Sequence, residues 1–212
     1  MTKTLIVGGN SGIGLATAAL FKAHNHNVTS VSRANKFDYT NGSIVRDFFK
    51  EHTDFDQIII TATTPLVIGS FKEIELQKAR LNFEKYWGTV NVIHYASRYS
   101  THLDAITLIS GSAADKRGSP TTYLAVNCAA INTLAESLAV ELAPIRINAV
   151  SPGVTDTPLY GEDRGNLTDY VQADPLKRVA TSEEVAQVIY FVTNHPHMTG
   201  SIVACDGGSR LV

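Results

Sequence analysis

Short, unbroken apolar runs rich in valine and isoleucine recur along the chain, separated by longer segments whose apolar residues return every three or four positions. The short runs are Thr4–Gly8, Asn27–Ser32, Gln57–Thr61, Ala105–Ser110, Arg146–Val150 and Ser201–Cys205. Runs of this length without polar alternation are how strands covered on both faces of a parallel sheet read. The longer segments are Gly12–His24, Ile44–Glu51, Phe71–Tyr99, Pro120–Leu142 and Ser182–Thr193, and they carry a helical period. Thr181-Ser182-Glu183-Glu184 adds a hydroxyl N-cap with acidic residues in the first turn. The β-α alternation predicts right-handed crossovers and one doubly wound, Rossmann-type parallel sheet in a single three-layer α/β/α domain over residues 1–212. Ligands bind such sheets at the carboxyl ends of the strands, near the switch in strand order.

Composition narrows the function classes. A length of 212 residues suits one α/β domain with a full core, and a net charge of −2 leaves no electrostatic footprint for nucleic acid or an anionic membrane. No apolar run approaches the ~20 residues of a membrane span. Met1 to Val7 runs straight into the first strand-like segment, leaving no room for a signal peptide. Cys128 and Cys205 sit in apolar contexts, as expected of reduced thiols in a cytoplasmic protein. The histidine pairs His24/His26 and His195/His197 lack a matching cysteine or acidic cluster, so no metal site is expected.

The first strand runs into a glycine turn, Gly8-Gly9-Asn10-Ser11-Gly12-Ile13-Gly14, and then into a helix. Gly8 permits a tight exit, Gly12 lets a phosphate approach the backbone, and Gly14 lets the helix pack closely on the sheet. The helix N-terminus then offers unpaired N–H groups and a positive dipole end to a pyrophosphate.

Gly8-x-x-x-Gly12-Ile13-Gly14 resembles the glycine motif of short-chain dehydrogenases/reductases, and the resemblance continues over nearly the whole chain. Asp38-Tyr39-Thr40 is similar to the turn that contacts adenine, although a plain turn role for Asp38 is the alternative. Ser110 and Tyr123, thirteen residues apart, resemble the catalytic Ser…Tyr pair. Asn148 to Pro158 resembles the Pro-Gly segment beneath the nicotinamide, with Pro152, Gly153, Val154, Thr155 and Thr157 as cofactor contacts. Pro175 to Val179 and Thr199-Gly200…Asp206-Gly207-Gly208 resemble the C-terminal landmarks. Val7 stands where a threonine is usual, and Thr61-Ala62-Thr63-Thr64 replaces an Asn-Asn-Ala-Gly segment that borders the cofactor. The stretch between Arg33 and Gln57 is short for the family, so the second helix and third strand are expected to be abbreviated. The resemblance implies a homodimer or homotetramer joined through the two long central helices, and a small-molecule carbonyl or alcohol substrate.

The end of the second strand decides which nicotinamide cofactor is expected. An NAD site places an acid there to hold the ribose hydroxyls. Ser32 carries no charge, and Arg33 offers a planar, always-charged fork to a 2′-phosphate. NADP(H) is therefore expected ahead of NAD(H).

The catalytic set departs from the family pattern. A phenol with an ordinary pKa of ~10 needs a nearby cation to exchange a proton near neutral pH. The family supplies that cation from a lysine four residues after the tyrosine, where this chain has Asn127. Conversely, Lys85 stands where the family's helical asparagine is expected, three residues before Gly88. One reading is a compensated exchange, with Tyr123, Ser110, Lys85 and Asn127 as the catalytic set and Tyr123 and Asn127 also on the cofactor. The other leaves Lys85 in solvent. The serine is open too: counting from the strand end puts its position on Gly111, with Ser112 just beyond. Leu159 to Val171 reads as a lid or as an ordinary loop. Two functions follow: an NADP(H)-dependent carbonyl reductase, or a catalytically weak NADP(H)-binding sensor or structural partner.

Overall fold

Six parallel strands form the centre of the chain: β1 (Lys3–Val7), β2 (Asn27–Val31), β3 (Gln57–Ile60), β4 (Ala105–Ile109), β5 (Arg146–Pro152) and β6 (Ile202–Cys205), in the order β2-β1-β3-β4-β5-β6. The computed structural model describes residues 1–116 and 120–212. Strand direction and order match the Rossmann expectation, and the order reverses between β1 and β3, where Val7 lies beside Ile60. Every residue of β3 and β4 is buried, which explains their unbroken apolar runs.

Helices cover both faces. α1 (Gly12–Ala23) and α6 (Ser182–Asn194) close one side with Ala18, Phe21, Val185, Ile189 and Val192. α2 (Gly42–Glu51), α4 (Glu84–Tyr99) and α5 (Thr122–Glu141) close the other with Val45, Phe49, Val92, Ile93, Ile131 and Ala135. The expected cap at Thr181 is present as a capping box: its hydroxyl accepts from the Glu184 N–H at 3.2 Å, and the Glu184 carboxylate accepts from the Thr181 N–H at 2.9 Å. Arg178 forks onto the same carboxylate at 2.7 and 2.9 Å and holds its pKa down at about 2.

Two boundaries differ from the sequence reading. The segment read as one helix over Phe71–Tyr99 begins at Leu76 and is divided at Phe83, giving α3 (Leu76–Asn82) and α4. Between β2 and β3 the chain holds a 3₁₀ turn at Arg33–Asn35 and the ten residues of α2 but no strand, so the strand expected in that short stretch is absent rather than abbreviated. Pro175 and Gly208, one in each C-terminal landmark, are packed together: a Cβ on Gly208 would stand 2.7 Å from the Pro175 ring.

Candidate active site

The glycine turn is built as its spacing implies. Gly8 leaves β1 at φ +91° and Gly12 turns at φ +49°. A Cβ on Gly14 would lie 2.2 Å from the Gly8 carbonyl oxygen, so α1 packs against the turn more closely than any side chain allows. Ser11 sits at the N-cap of α1 without a side-chain cap bond, which leaves the first-turn N–H groups to an anion. Asn10 donates instead to the Ser32 hydroxyl at 2.8 Å, tying the glycine turn to the end of β2. Ser32 also accepts from the Ala34 N–H and caps the 3₁₀ turn that carries Arg33. The Arg33 guanidinium is exposed and, among the described residues, enters no ion pair.

A groove of about 730 Å³ opens beside this turn and is lined by Arg33, Asp38, Tyr39, Thr40 and Thr63. Asp38 shapes its edge, since one carboxylate oxygen accepts from the Thr40 N–H at 3.0 Å and the Thr40 hydroxyl at 2.8 Å. Asp38 thus builds the turn, and it also borders the groove. Thr61 donates its hydroxyl to the Val7 carbonyl at 3.0 Å, and the Ala62 N–H donates to the same oxygen, so this segment stitches β3 to β1.

Thr63, Thr64, Leu66 and Ile68 also wall a second cavity of about 370 Å³ at the carboxyl ends of β3, β4 and β5. Ile13 of the glycine turn and Pro152, Gly153, Val154, Thr155 and Thr157 of the Pro-Gly segment line it together. A Cβ on Gly12 would meet the Thr157 side chain at 3.1 Å, so the glycine turn and the Pro-Gly segment are neighbours. These features fit a dinucleotide: an uncapped helix terminus, a glycine approach that a side chain would block, and two connected recesses.

Of the expected catalytic residues, Ser110 and Lys85 line this cavity and Tyr123 and Asn127 do not. Lys85 is 7% exposed and donates to the Ser110 backbone carbonyl at 3.1 Å. It belongs to the inward stripe of α4 with Gly88, Thr89, Val92 and Ala96. The reading that leaves Lys85 in solvent is therefore overturned by its burial. Desolvation holds its pKa below the ordinary lysine value, opposed in part by the Cys128 thiol, whose own pKa burial pushes up. Ser110 turns its hydroxyl to the Val150 carbonyl at 3.4 Å, while Ser112 lines the cavity and its hydroxyl, unlike its carbonyl, makes no hydrogen bond among the described residues.

Tyr123 is placed differently from the expectation. Its ring lies stacked on Phe71, with centroids 5.5 Å apart and planes 12° from parallel. The next residue of α5, Leu124, lines the cavity instead, and so does Cys128. Gly111, Leu124 and Cys128 repeat the thirteen-and-four spacing of Ser110, Tyr123 and Asn127 one residue later. A Cβ on Gly111 would lie 3.0 Å from the Cys128 sulfur, so this later register is the one that converges. Asn127 is fully buried and donates its side-chain amide to the Asn82 backbone carbonyl at the end of α3. Leu124 and Asn82 are among the cavity residues that the sequence reading did not name, and Cys128 was named only as a thiol; the usable signal was the count from the strand end to Gly111.

Comparison with known proteins agrees with this geometry. A family model described as enoyl-(acyl carrier protein) reductase matches residues 42–210. The chain belongs to the short-chain dehydrogenase/reductase family. A short-chain dehydrogenase/reductase of Stachybotrys chlorohalonatus is 29% identical over 98% of this chain and 96% of its own length. Carbonyl reductase family member 4 of Xenopus tropicalis is 28% identical over 100% and 99%. The crystal structure of a small-chain dehydrogenase in complex with NADPH superimposes with a TM-score of 0.94, at 32% identity over 100% of this chain and 99% of that one. The chain is therefore an oxidoreductase of that family, with Leu124 and Cys128 lining its cavity.

Proposed function

We propose that this chain is an NADP(H)-dependent oxidoreductase that moves a hydride between the nicotinamide and a small or medium-sized carbonyl or alcohol substrate. The observation that carries this reading is the unpaired Arg33 beside a glycine turn and an uncapped α1, with no acid at the end of β2. The NADPH complex of a 32% identical relative supports it. When bound, the reduced cofactor supplies a hydride to a carbonyl carbon. The α1 N–H groups would hold its pyrophosphate, Arg33 its 2′-phosphate, and Thr157 with the Val154 and Thr155 backbone its carboxamide. Ser112 would donate to the substrate oxygen, and Lys85 supplies a buried positive charge beside it. The mostly apolar lining of the cavity would limit the water around the reacting atoms.

The same reading includes a homo-oligomer joined through α4 and α5, supported by exposed Trp87 and Val126 on those helices. Fluorescence titration tests cofactor choice: NADPH should bind at least about tenfold more tightly than NADH, or ~1.4 kcal/mol. NADPH oxidation should also exceed background with at least one member of a panel of aromatic aldehydes, α-diketones and β-keto esters. Equal affinities, or a panel without turnover, would overturn the reading.

A further inference from the structure

The 370 Å³ cavity contains the buried Lys85, and no carboxylate is among the described residues that line it. We propose that Lys85 is the catalytic acid–base of this site, giving a proton to the substrate oxygen in reduction and taking it back in oxidation. The inference rests on the reductase reading above.

The assignment begins with what surrounds Lys85. An ammonium has three N–H donors, and among the described residues only the Ser110 carbonyl engages one of them. Tyr123 is turned onto Phe71, and Leu124 takes its place along the wall. Four other titratable groups line the cavity. Burial pushes Tyr160 and Cys128 up, away from the range useful for proton exchange at neutral pH. Lys116 is 3.7 Å from the Asp174 carboxylate and 3.4 Å from the Ser209 hydroxyl. Tyr170 is about half exposed. Among the described residues lining the cavity, Lys85 alone is a buried amine without a carboxylate partner, and its desolvation, opposed only in part by the Cys128 thiol, moves it toward neutrality.

The step balances without a further reagent. As hydride adds to the carbonyl carbon, the C=O π pair moves to oxygen. That oxygen forms an O–H bond as one N–H bond of Lys85 breaks, and the ammonium becomes an amine. Water at the cavity mouth restores the proton.

The test uses the full chain with NADPH and the carbonyl panel. Lys85→Met should lower kcat by about 10²–10³-fold and remove the alkaline limb of the reduction pH profile. Its NADPH dissociation constant should stay within about threefold of wild type, showing that the fold and the cofactor site persist. Lys85→Arg should fail equally, because a guanidinium keeps the charge but does not release a proton. Independently of turnover, NMR of ε-¹³C-lysine-labelled protein should show one resonance, missing from Lys85→Met, that titrates below the other lysines. If Lys85→Arg restores turnover, or Tyr123→Phe abolishes it while Lys85→Met does not, the acid–base assignment is overturned and the reductase reading stands. A Lys85 resonance that titrates with the surface lysines also overturns the assignment. A panel with no turnover overturns both.

Discussion

The Lys85 ammonium donates to the backbone carbonyl of Ser110 across 3.1 Å, so that α4 is fastened to the end of β4 by a charged group with no anionic partner among the described residues. Burying such a group costs stability, and the cost depends on pH. Because desolvation lowers the folded-state pKa of Lys85, the unfolded chain binds more protons between that value and the ordinary lysine value. Stability therefore rises with pH through that window, as the burden of the buried charge disappears.

Lys85→Met removes the burden altogether. The variant should be more stable than wild type near neutral pH by about 1 kcal/mol or more, a rise in Tm of ~2–4 °C or more for a domain of this size. The advantage should narrow as pH climbs toward the ordinary lysine range. Thermal unfolding of both proteins across this range measures it. A wild type that is the more stable at every pH would show that the Ser110 bond outweighs desolvation.

Arg33 should govern cofactor choice. It is exposed and unpaired, so its removal leaves no buried partner unsatisfied, and Arg33→Ala should keep the wild-type Tm within about 2 °C. NADPH affinity should fall about tenfold or more while NADH affinity changes little. Parallel titrations decide the matter. Equal losses for the two cofactors would assign Arg33 to their shared part.

Gly14 is a sharper test of the glycine turn. A methyl group there would stand 2.2 Å from the Gly8 carbonyl oxygen, a backbone atom that cannot rotate away. Gly14→Ala should therefore displace α1, destabilise the protein by roughly 1–3 kcal/mol and weaken NADPH binding together with it. A variant with unchanged Tm and cofactor affinity would mean that the turn is looser than this packing requires.

The architecture was legible because local signals agreed with the global fold. Apolar runs without alternation marked β3 and β4, and Thr181 with Glu184 marked the start of α6. The catalytic register was harder. Ser110, Tyr123 and Asn127 satisfy the same spacing as Gly111, Leu124 and Cys128, and neighbours on a helix point about 100° apart. Only tertiary packing, here the stacking of Tyr123 on Phe71, decides which face of α5 meets the cavity. The division at Phe83 was hidden for a related reason: its φ and ψ, −75° and −8°, remain in the helical region, so the apolar period runs across it.

Asn127 offers the last test, and it separates a structural role from the ribose contact expected from its motif position. The residue is fully buried, and its amide donates to the carbonyl of Asn82, the last residue of α3. Carbonyls at a helix end have no partner within their own helix, so this one depends on Asn127. Asn127→Ala leaves it buried and unsatisfied, which costs about 1–3 kcal/mol. Tm should fall by several degrees, at ~2–4 °C per kcal/mol. NADPH affinity should change by less than about threefold, because the amide is taken up by the Asn82 carbonyl and Asn127 itself does not line the cavity. Asn127→Asp should be at least as damaging, since a carboxylate would present lone pairs to the same carbonyl. A variant that keeps its Tm but binds NADPH tenfold more weakly would return Asn127 to the cofactor site and would require its amide to turn away from Asn82.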